Sequence, residues 1–372
     1  MFTSKPSLSK AHHIVVLSGV VLAGAVGPWS GAAAQDVSDL QTPKGALVLK
    51  ARGSFFVGGQ DVVEDATAVG GFFGSGHITI NQMYVEYMIP HRNVESVPVV
   101  MVHGATLSGK SWDTTPDGRM GWYEYFVRRG HPTYLADQVS RARSGFDQAV
   151  FNHVRAGTVP PSTQPNIFRF TDESAWTIFR FGPTFGTTFS DEQFPVQAAA
   201  EFSKQGIPDL NGVLPTPNPT YKALSDLAIK LNGAVVMGHS ESGNYPIQAA
   251  LTDSIGMKGL IVTEPPFGCQ ASAYTDQQVA TLATIPILVL FGDHLDANTG
   301  IGLSWQNAFN DCQAFITRVN AAGGNAQMLF PPDLGIHGNS HMFMLDKNNL
   351  QIADLVLIWI DENVSDNQTE RR

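Results

Sequence analysis

Basic residues are scarce in this chain, with Lys and Arg together numbering 23 against 33 acids, for a formal charge of −10 and no basic run. Nucleic-acid affinity is supplied mainly by clustered cations, so no nucleic-acid partner is expected. Cysteine is nearly absent, at 2 in 372 residues, which excludes a disulfide scaffold. Charged residues of all kinds reach only 15% while hydrophobic ones reach 43%, the opposite of a disordered composition. Collagen, coiled-coil, repeat and low-complexity patterns are also missing. What remains is a globular chain long enough for a large core.

The longest uncharged apolar stretch near the amino terminus, Ile14 to Val26, is preceded by Lys5 and Lys10 and is well short of the roughly 20 residues that span hydrocarbon. Ala32 and Ala34 then stand at the −3 and −1 positions of a cut before Gln35. This pattern reads as a secretory signal peptide over residues 1–34, with no membrane anchor after cleavage. Removing Lys5 and Lys10 takes the formal charge from −10 to −12. A periplasmic or secreted location follows, and it places Cys269 and Cys312 in an oxidising compartment, where one disulfide is expected over two unrelated buried thiols.

From about residue 45, strand and helix patterns alternate. Ala46 to Val57 and His77 to Ile89 are rich in β-branched and aromatic residues, as in an opening antiparallel pair. Short runs apolar at consecutive positions follow at 97–102, 133–136, 234–237, 259–263, 285–291 and 326–330, the signature of strands buried on both faces. Helical spacing appears at 122–129, 221–231, 245–252, 305–321 and 350–360. The expectation is one α/β domain over 35–372 with a mostly parallel sheet. Residues 141–220 break the alternation with paired prolines and a Phe-rich stretch; they read as a cap-like insertion over the carboxyl ends of the strands, or as a helical excursion on the sheet edge.

The segment Ala234 to Gly243 runs a buried strand into a Gly-His-Ser turn and then a helix. Such a bend exposes a serine hydroxyl above the sheet and aims the next N–H at the same point, which makes Ser240 the candidate nucleophile and Ser242 the fallback. A serine hydroxyl needs an imidazole to take its proton and a carboxylate to orient that imidazole. Of the histidines after Ser240, His341 adjoins the apolar Met342-Phe343-Met344 that would fix its loop, and it is preferred to His337. Two carboxylates compete for the acid role. Asp293 follows one strand, where it could equally cap a loop, and Glu264 follows another, before two prolines. Val99 to Ala105 ends an early strand in a His-Gly turn, so the N–H groups of Ala105 and Glu241 are the expected oxyanion donors, with His103 structural. The Gly338-Asn339 pair argues against His337 and His341 sharing a helix-borne metal, and neither a metal nor an organic cofactor is expected.

Gly53 to Gly59, Ile80 to Tyr84, Thr115 to Arg119, Ile178 to Pro183, Phe194-Pro195, Pro217 to Thr220, His239-Ser240, Glu264-Pro265, Phe291 to Asp293 and Gly338 to His341 carry a broader likeness. Through them most of the chain resembles a group of secreted bacterial carboxylesterases of the α/β-hydrolase fold, which includes esterases acting on sulfonylurea herbicides. The resemblance implies Ser240 as nucleophile, His341 as base and Glu264 rather than Asp293 as acid. It also implies a Cys269–Cys312 disulfide, a small-molecule ester substrate and a homodimer. Some relatives carry adjacent cysteines after the His-Gly turn, where this chain has Ala105 and Thr106. An acyltransferase would use the same residues, a dehalogenase would need a carboxylate in place of Ser240, and a non-catalytic binding module is the rival of a different class.

Overall fold

The computed structural model describes residues 45–92, 96–210 and 214–364; the signal peptide expected over 1–34 lies outside them. The opening strands β1 (Leu49–Glu64) and β2 (Gly76–Pro90) form the expected antiparallel hairpin. It continues well past Val57, because Gly58 and Gly59 take left-handed φ values of 71° and 99° that turn the strand without ending it. Only Tyr84 to Met88 of β2 pair with β4 (Thr133–Asp137), so the distal half of the hairpin projects beyond the sheet.

The remaining strands are β3 (Val99–Val102), β5 (Ala234–His239), β6 (Met257–Thr263), β7 (Ile287–Leu290) and β8 (Ala326–Leu329). They join β4 in parallel, and the sheet order is β1-β2-β4-β3-β5-β6-β7-β8. Every residue of β3, β4, β5 and β7 is buried, which is why their sequences are apolar at consecutive positions. Each such Val or Leu contributes about 1.5–3 kcal/mol by leaving water. This is the mostly parallel α/β sheet expected from the apolar runs, and the α/β-hydrolase architecture that the resemblance implies.

Helices α1 (Trp122–Arg128), α5 (Pro219–Lys230), α6 (Tyr245–Thr252), α8 (Trp305–Ala321) and α9 (Asn349–Asn363) follow the spacing that announced them. Asn218 caps α5 by accepting the Thr220 N–H at 2.9 Å, ahead of Pro219 in the first turn. Outside the insertion one helix was not anticipated, α7 (Asp276–Leu282). It buries only Val279 and Leu282, too few for a periodic stripe, and its sequence signal was the capping box of Thr275 and Gln278. The insertion between β4 and α5 holds α2 (Ala149–Ala156), α3 (Asp172–Ile178) and α4 (Ala199–Ser203). Its regular elements are short, and aromatic packing organises it: Phe179, Phe181, Phe194 and Phe202 are buried together, with Phe181 stacked on Phe194 at 3.8 Å. Cys269 and Cys312 are joined, tying the loop after β6 to α8. Among the described residues no helix is long and apolar enough to cross a membrane.

Strand register gathers the loops that matter. Val102 lies beside Gly238, His239 beside Thr263, and Thr263 beside Leu290. The residues that follow those strands therefore emerge side by side at the carboxyl edge, where open α/β sheets bind ligands.

Candidate active site

At the end of β5 the chain turns so sharply that Ser240 takes a left-handed φ of 57°, which costs a non-glycine residue of order 1 kcal/mol. The bend is possible because Gly238 has no side chain: a Cβ there would sit 1.9 Å from the Ser242 carbonyl oxygen. Gly104 is equally constrained, since its Cβ would meet that of Ser240 at 2.8 Å. Ser242 is buried; its hydroxyl accepts the His239 N–H at 3.0 Å and lies 3.0 Å from the Val102 carbonyl, to which it donates. It latches the bend onto β3. Ser240, by contrast, lines a cavity of about 730 Å³ together with Ala105 and Glu241.

His341 is buried and fixed from every side. Its N–H donates to the Phe179 carbonyl at 2.9 Å, and its ring packs against Phe179 (5.2 Å, 21°) and Trp305 (4.5 Å), both of which line the same cavity as Ser240. Nδ1 is 3.0 Å from Glu264 Oε2, so with an ionised carboxylate the proton resides on Nδ1. Nε2 is buried and makes no hydrogen bond. His239, the neighbour of Ser240, donates from Nε2 to the His341 carbonyl at 2.8 Å, and the two rings are 4.6 Å apart. Burial lowers the His341 pKa and Glu264 counteracts that only in part, leaving it below histidine's ordinary value and the ring neutral at neutral pH.

Glu264 follows β6 in a left-handed conformation, φ 51°, before Pro265 and Pro266. Its partners exceed the one expected. Oε1 accepts the Gly292 N–H, and both oxygens accept from Arg180, at 2.9 Å from Nη1 and 2.5 Å from Nη2. Burial pushes this carboxyl up, yet the Arg180 guanidinium and the His341 hydrogen bond outweigh it and hold the pKa down to about 2. Arg180 is itself fully buried, donates from Nε to the Asp293 carbonyl at 2.7 Å and lies 5.0 Å over the Trp305 ring.

Asp293 sits elsewhere. Its Oδ2 is 3.1 Å from His337 Nδ1 and accepts the Gly338 N–H at 3.1 Å, so it clamps the loop that carries His341 without touching the His341 ring. Asp191, Asp293 and His294 bring ligand-type atoms within 4.8 Å of one another, but each side chain is only half-buried and His294 Nε2 is hydrogen-bonded to Asp191 at 2.9 Å. His103 braces its turn, with Nε2 accepting the Gln138 N–H and Nδ1 bonded to the Gly104 carbonyl; burial lowers its pKa to about 4.

Three charged residues with no site role expected from the sequence complete the setting. Beside Arg180, a buried Arg141 joins the Asp209 carboxylate and reaches Glu241 at 3.2 Å. Asp209 Oδ2 in turn accepts the Thr106 N–H at 3.1 Å, while the Thr106 carbonyl accepts the Ile207 N–H at 2.8 Å. The insertion thereby hangs on the residues next to both Ala105 and Ser240. The signal for Arg180 was its place between Phe179 and Phe181: a lone cation in an apolar run must reach solvent or a buried acid.

No protein-family model matches the chain. It is 46% identical to a bacterial esterase of solved structure, with 87% of this chain and 99% of that one covered and a TM-score of 0.81. It is 26% identical over 332 residues to a probable secreted lipase, phiG, from a fungal species (strain ATCC 74256), across 78% of this chain and 89% of the other.

Proposed function

Because the chain belongs to the bacterial esterase family on the α/β-hydrolase fold, we propose that it is an exported serine carboxylesterase acting on small carboxylic esters through an acyl-enzyme. Ser240 attacks the ester carbonyl carbon as His341 Nε2 takes its proton. The N–H groups of Ala105 and Glu241 hold the oxyanion, each contributing about 3 kcal/mol in the transition state. Collapse expels the alcohol, which receives the proton from His341. Water, deprotonated by the same imidazole, then releases the acid and frees Ser240. Glu264 keeps the proton on Nδ1 and stabilises the imidazolium, and Arg180 keeps Glu264 ionised.

The observation that carries this reading is the buried His341–Glu264 pair at 3.0 Å, whose second nitrogen makes no hydrogen bond behind the cavity wall that Ser240 shares. The aromatic lining from the insertion, Phe168, Phe170 and Phe179, supports a cap over an apolar ester. The signal-peptide pattern and the likeness to a probable secreted lipase support export. Replacing Ser240→Ala should lower kcat/KM on an aryl ester by about 10⁵-fold with the thermal transition unchanged. Near-normal turnover would refute the assignment, and transfer of the acyl group to an added alcohol in preference to water would make the enzyme an acyltransferase.

A further inference from the structure

The cavity beside Ser240 has two chemically different ends. Near His341 it is aromatic; farther along α8 its wall becomes Asn307 and Asp311, faced by Gln270. Its lining contains no Lys, Arg or His and two carboxylates, Glu241 and Asp311. Glu241 shares the Arg141 guanidinium, 3.2 Å away, with Asp209, so its charge is countered in part. Asp311 has no cationic partner among the described residues: Oδ2 accepts only the Gln270 amide, at 3.0 Å. The position of this pair is built by the disulfide, since Gln270 follows Cys269 and Asp311 precedes Cys312. Joining the two cysteines brings the carboxylate and its amide together on the cavity wall.

Distance along α8 sets the reach. Trp305 packs on His341, and Asp311 lies six residues later, about 9 Å along a helix rising 1.5 Å per residue. Resting on the esterase reading above, we propose that the disulfide-anchored Gln270–Asp311 pair is a substrate subsite that takes an ammonium or protonated amine at the far end of the ester. The Asp311 carboxylate supplies the counter-charge, and Tyr245 and Phe267 line the same cavity. An ester ending in a carboxylate is excluded by the same charge.

The test uses the intact enzyme and two pairs of esters. In each pair a five-carbon spacer ends either in trimethylammonium or in its neutral isostere, tert-butyl, with the group on the acyl side in one pair and on the alcohol side in the other. For at least one pair the cationic member should have about tenfold higher kcat/KM at low ionic strength, an advantage that shrinks as salt rises. In Asp311→Asn the ratio should approach one; should that variant fail to fold, the salt dependence of the unaltered enzyme decides in the same sense. A ratio of one or less in both pairs, or a ratio unchanged by Asp311→Asn, overturns the subsite while leaving the esterase reading intact. Failure to hydrolyse any member, or undiminished hydrolysis by Ser240→Ala, overturns the esterase reading and this proposal with it.

Discussion

Two histidines four residues apart on one loop each meet a carboxylate, and the two pairs differ in almost everything but composition. His341 and Glu264 meet at 3.0 Å with both side chains fully buried; His337 and Asp293 meet at 3.1 Å with the imidazole more than half exposed. The buried ring packs against Phe179 and Trp305, and its carboxylate is gripped by Arg180 and Gly292. At the exposed pair Asp293 serves the backbone: burial pushes it up, the N–H groups of His294 and Gly338 outweigh that, and its pKa stays below the ordinary value. The chemistry a pair can perform is thus decided by what immobilises it. A base needs one tautomer, one orientation and a nitrogen facing the reacting group.

Substitutions should separate the two pairs by orders of magnitude. The largest effect is expected from His341→Gln, which removes the proton acceptor and should lower kcat by about 10⁵-fold in steady-state assays at unchanged protein concentration. Next comes Arg180→Met, which leaves Glu264 buried without its cation. It should cost about 3–5 kcal/mol of stability in urea unfolding and lower kcat as well. A pH series sharpens that result. Because Glu264 is lowered to about 2, its ionised form contributes stability above the ordinary carboxylate range, and this is lost as pH falls from there toward 2. Arg180→Met should therefore flatten the acid side of the stability profile.

In the intact enzyme, kcat/KM should fall as pH drops through a value below histidine's ordinary pKa, since protonated His341 cannot accept the Ser240 proton. His337→Asn should give the smallest effect, a change within about threefold in kcat/KM with the acid limb of the pH profile in place, because an exposed pair of this kind contributes about 0–1 kcal/mol. A shift of that limb in His337→Asn would erase the distinction between the pairs.

Much of the frame was legible because its signals are local. Consecutive apolar runs marked the buried strands, and Gly238, Ser240 and the helix beyond marked the bend within a few residues. Glu264 and Asp293 could not be separated by residue type or strand position alone; the family resemblance chose Glu264. The coordinates put Glu264 on His341 and Asp293 on His337. The partners of Arg180 and Asp209 were illegible because they are remote, 84 residues away for Arg180–Glu264 and 103 for Thr106–Asp209. No periodic pattern encodes such pairings. The insertion hid them further, since short helices and aromatic packing leave no stripe to read.

Peptide mapping after treatment with an aryl organophosphonate shows whether His341 and the bend at Ser240 make one hydroxyl a nucleophile. One adduct per chain is expected, on Ser240, and none in His341→Gln over the same time. An adduct on Ser242, or no labelled serine in an enzyme that still hydrolyses esters, would contradict it.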